Sequence, residues 1–189
     1  MLLQKVSQFI ILIILNYFRV FKPNVALNFM KKALENEVMS GQPKSHIAST
    51  KLNICAILSQ LEKHHQGIEF ANSAIQDLLT TLRIVRIKNI WDLNEQQVAL
   101  VTQSLEMKDL DIPESNESAI NQTLGIAYYN LAVQYEHTHD YLTAKQIYEK
   151  GLTFARISIN TEQLQAQITE SLIEVEKKLQ SKNTFLGGR

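Results

Sequence analysis

Two apolar stripes at helical spacing lie close together in residues 127–155, AYYNLAVQYEHTHDYLTAKQIYEKGLTFA. Apolar residues that recur three or four positions apart mark one face of an amphipathic helix. Small side chains in these stripes alternate with tyrosines, so two helices that meet there approach closely while the rings fill the remaining space. The pattern therefore predicts two helices folded back on each other. The first stripe comprises Leu131, Ala132 and Tyr135, and the second comprises Tyr141, Ala144, Tyr148, Gly151, Phe154 and Ala155.

The same spacing recurs twice nearer the N-terminus. Each copy has an apolar or aromatic residue three positions after its first member, and small residues twelve and nineteen positions after it. These offsets are those of residues that share one helix face and sit where two helices cross. The three copies are Ala132, Tyr135, Ala144 and Gly151; Cys55, Leu58, Gly67 and Ala74; and Ile14, Tyr17, Ala26 and Ala33.

This helix–turn–helix unit resembles the tetratricopeptide repeat (TPR) family, whose unit is about 34 residues long. The resemblance implies an all-α, tetratricopeptide-like solenoid of antiparallel helix pairs in one domain, residues 1–189, with repeats at about 7–40, 48–81 and 125–158. Some positions depart from the family pattern. Glu62 and His139 stand where the family usually has Gly at the turn, and Ile14 is large where a small residue is usual.

A longer spacing separates the second copy from the third and predicts a helical insertion at about residues 82–118. The second helix of the second repeat is expected to be prolonged over Asp77–Ile90. Asp92 and Glu95 have the spacing of a capping box for a further helix, and Ser118 is expected to cap the helix that opens the last repeat. The apolar stripe within residues 161–182 predicts a C-terminal capping helix.

The chain has 19 Lys and Arg and 19 Asp and Glu, so its formal net charge is zero. It therefore creates no overall electrostatic field that would attract nucleic acid. Six Gly and three Pro are too few for a fold with many tight turns, which favours helix throughout. Cys55 is the single cysteine and cannot form an internal disulfide. A reducing compartment is therefore expected, with the cytoplasm as the predicted location.

The N-terminus carries the apolar run FIILIIL at residues 9–15, which invites a signal-peptide or membrane interpretation. The run is shorter than the roughly 20 apolar residues of a membrane-spanning helix, and no small-residue cleavage site follows it. It is also in register with Ala26 and Ala33 of the first copy. The sequence therefore predicts the first helix of a repeat, with no membrane span.

Residues with candidate catalytic or metal-binding chemistry are sparse. His64 and His65 are adjacent, so their side chains point about 100° apart on a helix, and the pair His137 and His139 also falls at a predicted turn. We therefore expect no metal site and no cofactor. The sequence holds no glycine-rich phosphate loop, nucleophile motif or paired carboxylates, so no catalytic residue is predicted and an enzyme is not expected.

Two surfaces are candidates for binding a partner. Asn53 and Asn130 occupy equivalent positions on the predicted first helices, which line the concave face in the TPR family, and an amide side chain both donates to and accepts from a peptide backbone. Arg83 and Arg86 lie in the insertion near Trp91, a combination that suits an acidic protein segment better than nucleic acid. Each surface also admits an interpretation as ordinary solvent-exposed polar residues.

The TPR repeats that grip a carboxylate at the end of a partner place Lys and Arg beside such asparagines. The comparable neighbours here are Ser49, Ala56, Ile126 and Val133, so that mode of binding is not expected. The resemblance implies a scaffold that binds a protein or peptide, as part of a larger complex. The alternative is a structural subunit of a ciliary or cytoskeletal assembly, since the Asn-, Gln- and Ile-rich composition resembles repeat proteins of ciliated protists.

Overall fold

The structure is a computed structural model that describes the backbone of residues 22–91, 96–97 and 117–186, and the side chains of these residues except 90–91 and 182–186. The described residues form six helices and no strand, which confirms the all-α class. Numbered along the chain, the helices are α1 (Pro23–Met39), α2 (Lys44–Gln60), α3 (His64–Trp91), α4 (Glu117–His137), α5 (Tyr141–Arg156) and α6 (Glu162–Leu186).

Each helix packs against the next one along the chain, and two further contacts join α2 to α4 and α4 to α6. Connections of three residues between α2 and α3, and between α4 and α5, make each of these pairs antiparallel. The pair α3 and α4 is also antiparallel, because Gly67 near the start of α3 faces Gln134 near the end of α4. Consequently α2 and α4 run in the same direction and lie side by side.

Three helices end in the same hydrogen-bonded turn, in which one residue adopts a left-handed backbone conformation. That residue is Gly41 after α1, Glu62 after α2 and His139 after α4, with φ values of 67°, 57° and 61°. In each turn the following N–H donates to a carbonyl oxygen five residues earlier, the pattern of a Schellman motif. The bonds run from Gln42 to Glu37 (2.9 Å), from Lys63 to Leu58 (2.9 Å) and from Asp140 to Tyr135 (3.0 Å).

Small residues occupy the helix crossings, as their spacing in the sequence predicts. Ala132 and Ala144 are fully buried between α4 and neighbouring helices. A Cβ atom built on Gly151 would lie 3.2 Å from the Cβ of Tyr128 and 3.3 Å from the carbonyl oxygen of Gly125. The helices α4 and α5 therefore approach so closely that the absence of a side chain at residue 151 matters for their packing.

The buried apolar residues form two clusters. The larger extends from α2 to α6, and a smaller one joins α1 to the opposite side of α2 through residues such as Met30 and Ile54. Cys55 belongs to the larger cluster and is fully buried, and burial raises the pKa of its thiol to about 12. The thiol is therefore protonated at neutral pH and packs as a small apolar group.

The C-terminal part of α3 agrees with its sequence pattern, because the helix continues to Trp91 as the stripe over residues 77–90 predicts. The predicted role of Ser118 as a helix cap is wrong. Ser118 lies within the first turn of α4, and its hydroxyl accepts a hydrogen bond from the N–H of Ile159 (3.1 Å) in the link between α5 and α6. Its partner is 41 positions away in sequence, so no local pattern reveals this role.

Several predictions fall outside the described residues. These are the apolar run at 9–15, the positions Ile14 and Tyr17 of the first copy, and residues 92–95 and 98–116 of the insertion, which include the predicted capping box of Asp92 and Glu95. None of the helices that the structure describes is long and apolar enough to cross a membrane.

Candidate functional site

The contact between α2 and α4 leaves a cleft of about 220 Å³ at the surface. Both helices contribute residues from their N-terminal turns, and the middle of α3 forms the floor. Leu78 and Ile120 are almost fully buried there, so the floor is apolar, whereas the rim carries hydroxyl groups and an imidazole. The lining residues are Ser45, His46, Ser49, Leu78, Ala119, Ile120 and Thr123.

The hydroxyl groups at the rim are partly committed to their own helices. Ser49 donates to the carbonyl oxygen of Ser45 (3.2 Å), and Thr123 donates to that of Ala119 (2.9 Å). A hydroxyl group has one proton and two lone pairs, so these two groups retain the capacity to accept. The rim therefore suits a ligand that donates a hydrogen bond.

The predicted site residues Asn53 and Asn130 extend the two walls of this cleft. Asn53 is four residues after Ser49 on α2, and Asn130 is seven residues after Thr123 on α4, so each shares a helix face with a lining residue. Both side chains are half-buried. Neither amide makes a side-chain hydrogen bond to another residue of the described ranges, which leaves two donor–acceptor groups for a ligand.

We call this surface the α2–α4 face and define it by six residues. They are Ser45, Ser49 and Asn53 on α2, and Ala119, Thr123 and Asn130 on α4. None of the six side chains carries a charge, and five of the six end in a hydroxyl or an amide. The face is therefore suited to hydrogen bonding with a neutral backbone rather than to charge pairing.

The arginines of the second predicted surface lie elsewhere. Arg83 and Arg86 are both exposed in the last turns of α3, and Arg86 donates through Nε to Glu117 at the start of α4 (2.7 Å). This ion pair helps to join α3 to α4 and occupies one of the two guanidinium groups. The side chain of Trp91 lies outside the described residues. Nothing in the described part of the chain brings these arginines together with the asparagines.

A buried glutamine that the sequence pattern does not single out connects α3 to α4. Gln134 is 1% exposed, and its Oε1 lies 3.0 Å from Nδ1 of His64. The rings of His64 and His137 stack with centroids 4.5 Å apart and planes 7° from parallel. These histidines close the contact between the start of α3 and the end of α4, so their role in the structure is packing.

A second polar cluster joins the last three helices. Glu136 on α4 accepts hydrogen bonds from the Tyr148 hydroxyl (3.0 Å) and from Nζ of Lys178 on α6 (2.5 Å). The hydrogen bond to Glu136 raises the pKa of Lys178, while burial, with the charge of Glu136, raises the pKa of Tyr148. Both shifts favour the protonated forms, so the cluster is a fixed link at neutral pH.

Within the described ranges no three His, Cys, Asp or Glu side chains are grouped so as to hold a metal ion. Comparison with models of protein families, with curated proteins and with solved structures finds no match for the chain. The α2–α4 face and its cleft are therefore characterised by their own geometry.

Proposed function

We propose that the protein is a non-enzymatic, tetratricopeptide-like helical scaffold that binds an extended segment of a partner protein along the α2–α4 face. The observation that carries the proposal is the pair of unpartnered, half-buried amides of Asn53 and Asn130, which continue the two walls of one cleft. An extended peptide presents N–H and C=O groups at regular intervals, and an amide side chain pairs with either of them.

The helix arrangement supports a solenoid in this proposal. The two predicted first helices that the structure describes, α2 and α4, contact each other, and α4 also contacts the predicted capping helix α6. The helix α3 contacts α2 and α4, and α5 contacts α4 and α6. Stacking of this kind produces a continuous surface made of first helices, and repeat proteins use such surfaces for binding. The α2–α4 face is part of that surface.

The framework around the face is rigid enough to hold it in position. The cluster of Glu136, Tyr148 and Lys178 fixes α4 to α5 and α6, and Gln134 with His64 fixes α4 to α3. A surface held in this way does not have to be ordered when the ligand binds, so less of the interaction energy is lost.

The proposal is tested with a random peptide library displayed on phage and selected against the wild-type protein. Dissociation constants of the selected peptides are then measured for the wild type and for the double variant Asn53→Ala/Asn130→Ala. Each lost hydrogen bond is worth about 0.5–1.5 kcal/mol, so the double variant should bind roughly five- to a hundredfold more weakly, with unchanged melting. The matched control is Asn28→Ala/Asn36→Ala, two exposed asparagines on α1, which should leave binding unchanged.

Arg83→Glu tests the rival surface without disturbing the ion pair of Arg86 with Glu117. A charge reversal there should act on the association rate and the salt dependence if an acidic segment binds the end of α3. Peptides that lose affinity through Arg83→Glu and keep it in the double asparagine variant would refute the assignment to the α2–α4 face. Failure of the purified chain to remain monodisperse in gel filtration would favour the alternative of a structural subunit.

A further inference from the structure

The cleft at the N-terminal end of the α2–α4 face has a chemistry that selects one kind of side chain. Its floor, made by Leu78 and Ile120, is apolar, and its volume is about 220 Å³. A cavity of about 150 Å³ is sufficient to hold a benzene ring. The cleft therefore has room for one aromatic side chain of a bound segment. Because Leu78 and Ile120 are only 1% and 2% exposed, the apolar surface that the ring would cover belongs mainly to Ala119 and to the carbon atoms of the rim side chains.

The rim specifies the polar end of that side chain. Because Ser49 and Thr123 already donate to their own helices, their free lone pairs accept a hydrogen bond. A tyrosine combines an apolar ring with a hydroxyl donor at its tip, and residues of this kind are frequent anchors in interfaces. Phenylalanine would leave the rim oxygens without a partner.

The groups at and behind the rim do not favour an anionic tip on the bound side chain. His46 lines the cleft, and its Nδ1 lies 3.4 Å from Oε1 of Glu37 on α1. The other carboxylate oxygen of Glu37 is buried and makes no hydrogen bond within the described residues. A phosphate group at the tip of a bound ring would present acceptor oxygens to hydroxyl groups whose protons are already donated to their own helices, so it is disfavoured at this rim.

We propose that the cleft between α2 and α4 is the specificity pocket of the scaffold and that it takes an unphosphorylated tyrosine of the bound peptide. This inference rests on the proposed function, since the asparagines of the same face would hold the backbone on the C-terminal side of the cleft along both helices. Asn53 and Asn130 then supply affinity for any extended segment, and the cleft selects among segments.

The first experiment uses p-cresol, which has the ring and hydroxyl group of tyrosine, as a probe of the ¹⁵N-labelled protein in solution. Backbone amide signals of residues 45–49 and 119–123 should shift on titration, with the millimolar affinity expected of so small a probe. Toluene should shift them less. If p-cresol shifts no signal in these ranges, or if toluene binds at least as well, the tyrosine assignment is overturned.

The second experiment fills the cleft. Ala119→Leu places a larger side chain at the rim from an exposed helical position, so it should abolish the p-cresol shifts without unfolding the protein. Ala166→Leu makes the same change at an exposed position of α6 and should leave the shifts intact. Equal p-cresol binding by both variants would place the probe outside the cleft and refute the inference.

The peptides selected on phage separate this inference from the proposed function. If both are correct, peptides that depend on Asn53 and Asn130 should share a tyrosine, whose replacement by Ala should weaken binding by about 30-fold, the effect of an interface hot spot. Its phosphorylation should weaken binding as well. Peptides that depend on the asparagines, lack an aromatic residue and bind Ala119→Leu normally would refute the pocket and leave the scaffold function standing. Selected peptides that bind the double asparagine variant as tightly as the wild type would refute both the pocket and the scaffold function.

Discussion

The substitution Glu62→Gly should stabilise the protein, although it removes a side chain. Glu62 follows α2 with φ at 57°, in the left-handed region that favours glycine. Its side chain is exposed and makes no hydrogen bond or ion pair with the described residues, so little is lost with it. The backbone bonds of the turn, Lys63 to Leu58 and Glu62 to Ser59, remain available to glycine.

Two opposing contributions determine how much Glu62→Gly changes the free energy of unfolding. A residue with a Cβ atom pays about 1–2 kcal/mol in the left-handed conformation, and glycine does not. Glycine gains conformational freedom in the unfolded chain, which costs about 0.5–1 kcal/mol. The difference favours the folded variant by about 0.5–1 kcal/mol. For a chain of 189 residues this raises the melting temperature by about 1–4 °C.

The assay is thermal and urea denaturation followed by circular dichroism at 222 nm, with two controls. Glu62→Ala removes the same side chain and keeps the Cβ atom, so it should melt close to the wild type. Gly41→Ala makes the reverse change at φ 67°, where a Cβ atom would meet nothing within 4 Å, and should destabilise the protein by a similar amount. Stabilisation by Glu62→Ala equal to that by Glu62→Gly would refute the backbone explanation and point to an unfavourable side chain instead.

Two further predictions concern the core. Ala144→Trp should destabilise the protein by about 3 kcal/mol or more in urea denaturation, because Ala144 is fully buried at a helix crossing and a larger side chain forces the backbones apart; wild-type melting would contradict this packing. Burial raises the pKa of Cys55 from 9.0 to about 12, so the stability that the neutral thiol contributes should be complete below pH 9 and decline as the pH rises towards 12. Cys55→Ala should show a shallower loss of stability over that range, and equal slopes for variant and wild type would disprove the shift.

The sequence predicts those parts of the fold that depend on local periodicity. The small residues Ala132, Ala144 and Gly151 recur at helical spacing, and their burial at crossings follows because only small side chains fit between closely packed helices. The turns after α2 and α4 are also predictable, because polar residues interrupt the apolar stripes there. In the structure Glu62 and His139 adopt, at these turns, the left-handed conformation that glycine prefers.

Local periodicity does not predict contacts between residues that are far apart in the sequence. The contact of His64 with Gln134 joins residues 70 positions apart, and the hydroxyl of Ser118 meets the N–H of Ile159 across 41 positions. A glutamine on a helix gives no sign in the sequence that it will be buried, because its environment depends on which helix packs over it. The sequence places both histidine pairs at turns. It does not predict that His64 stacks on His137, because this contact depends on the distance and angle between α3 and α4.

The candidate site depends partly on local periodicity, which the sequence shows, and partly on the packing of distant residues, which it does not show. The asparagines are predictable as a pair because Asn53 and Asn130 stand at equivalent positions of the recurring spacing, two residues before Cys55 and Ala132. The cleft beside them is not, because its volume depends on how far apart the N-terminal turns of α2 and α4 lie. Leu78, a buried residue of the intervening α3, lines the cleft between these turns. The hydrogen-bonding groups of the face are thus visible in the repeated spacing of the sequence, whereas the selectivity that we propose for the cleft depends on the packing of three helices.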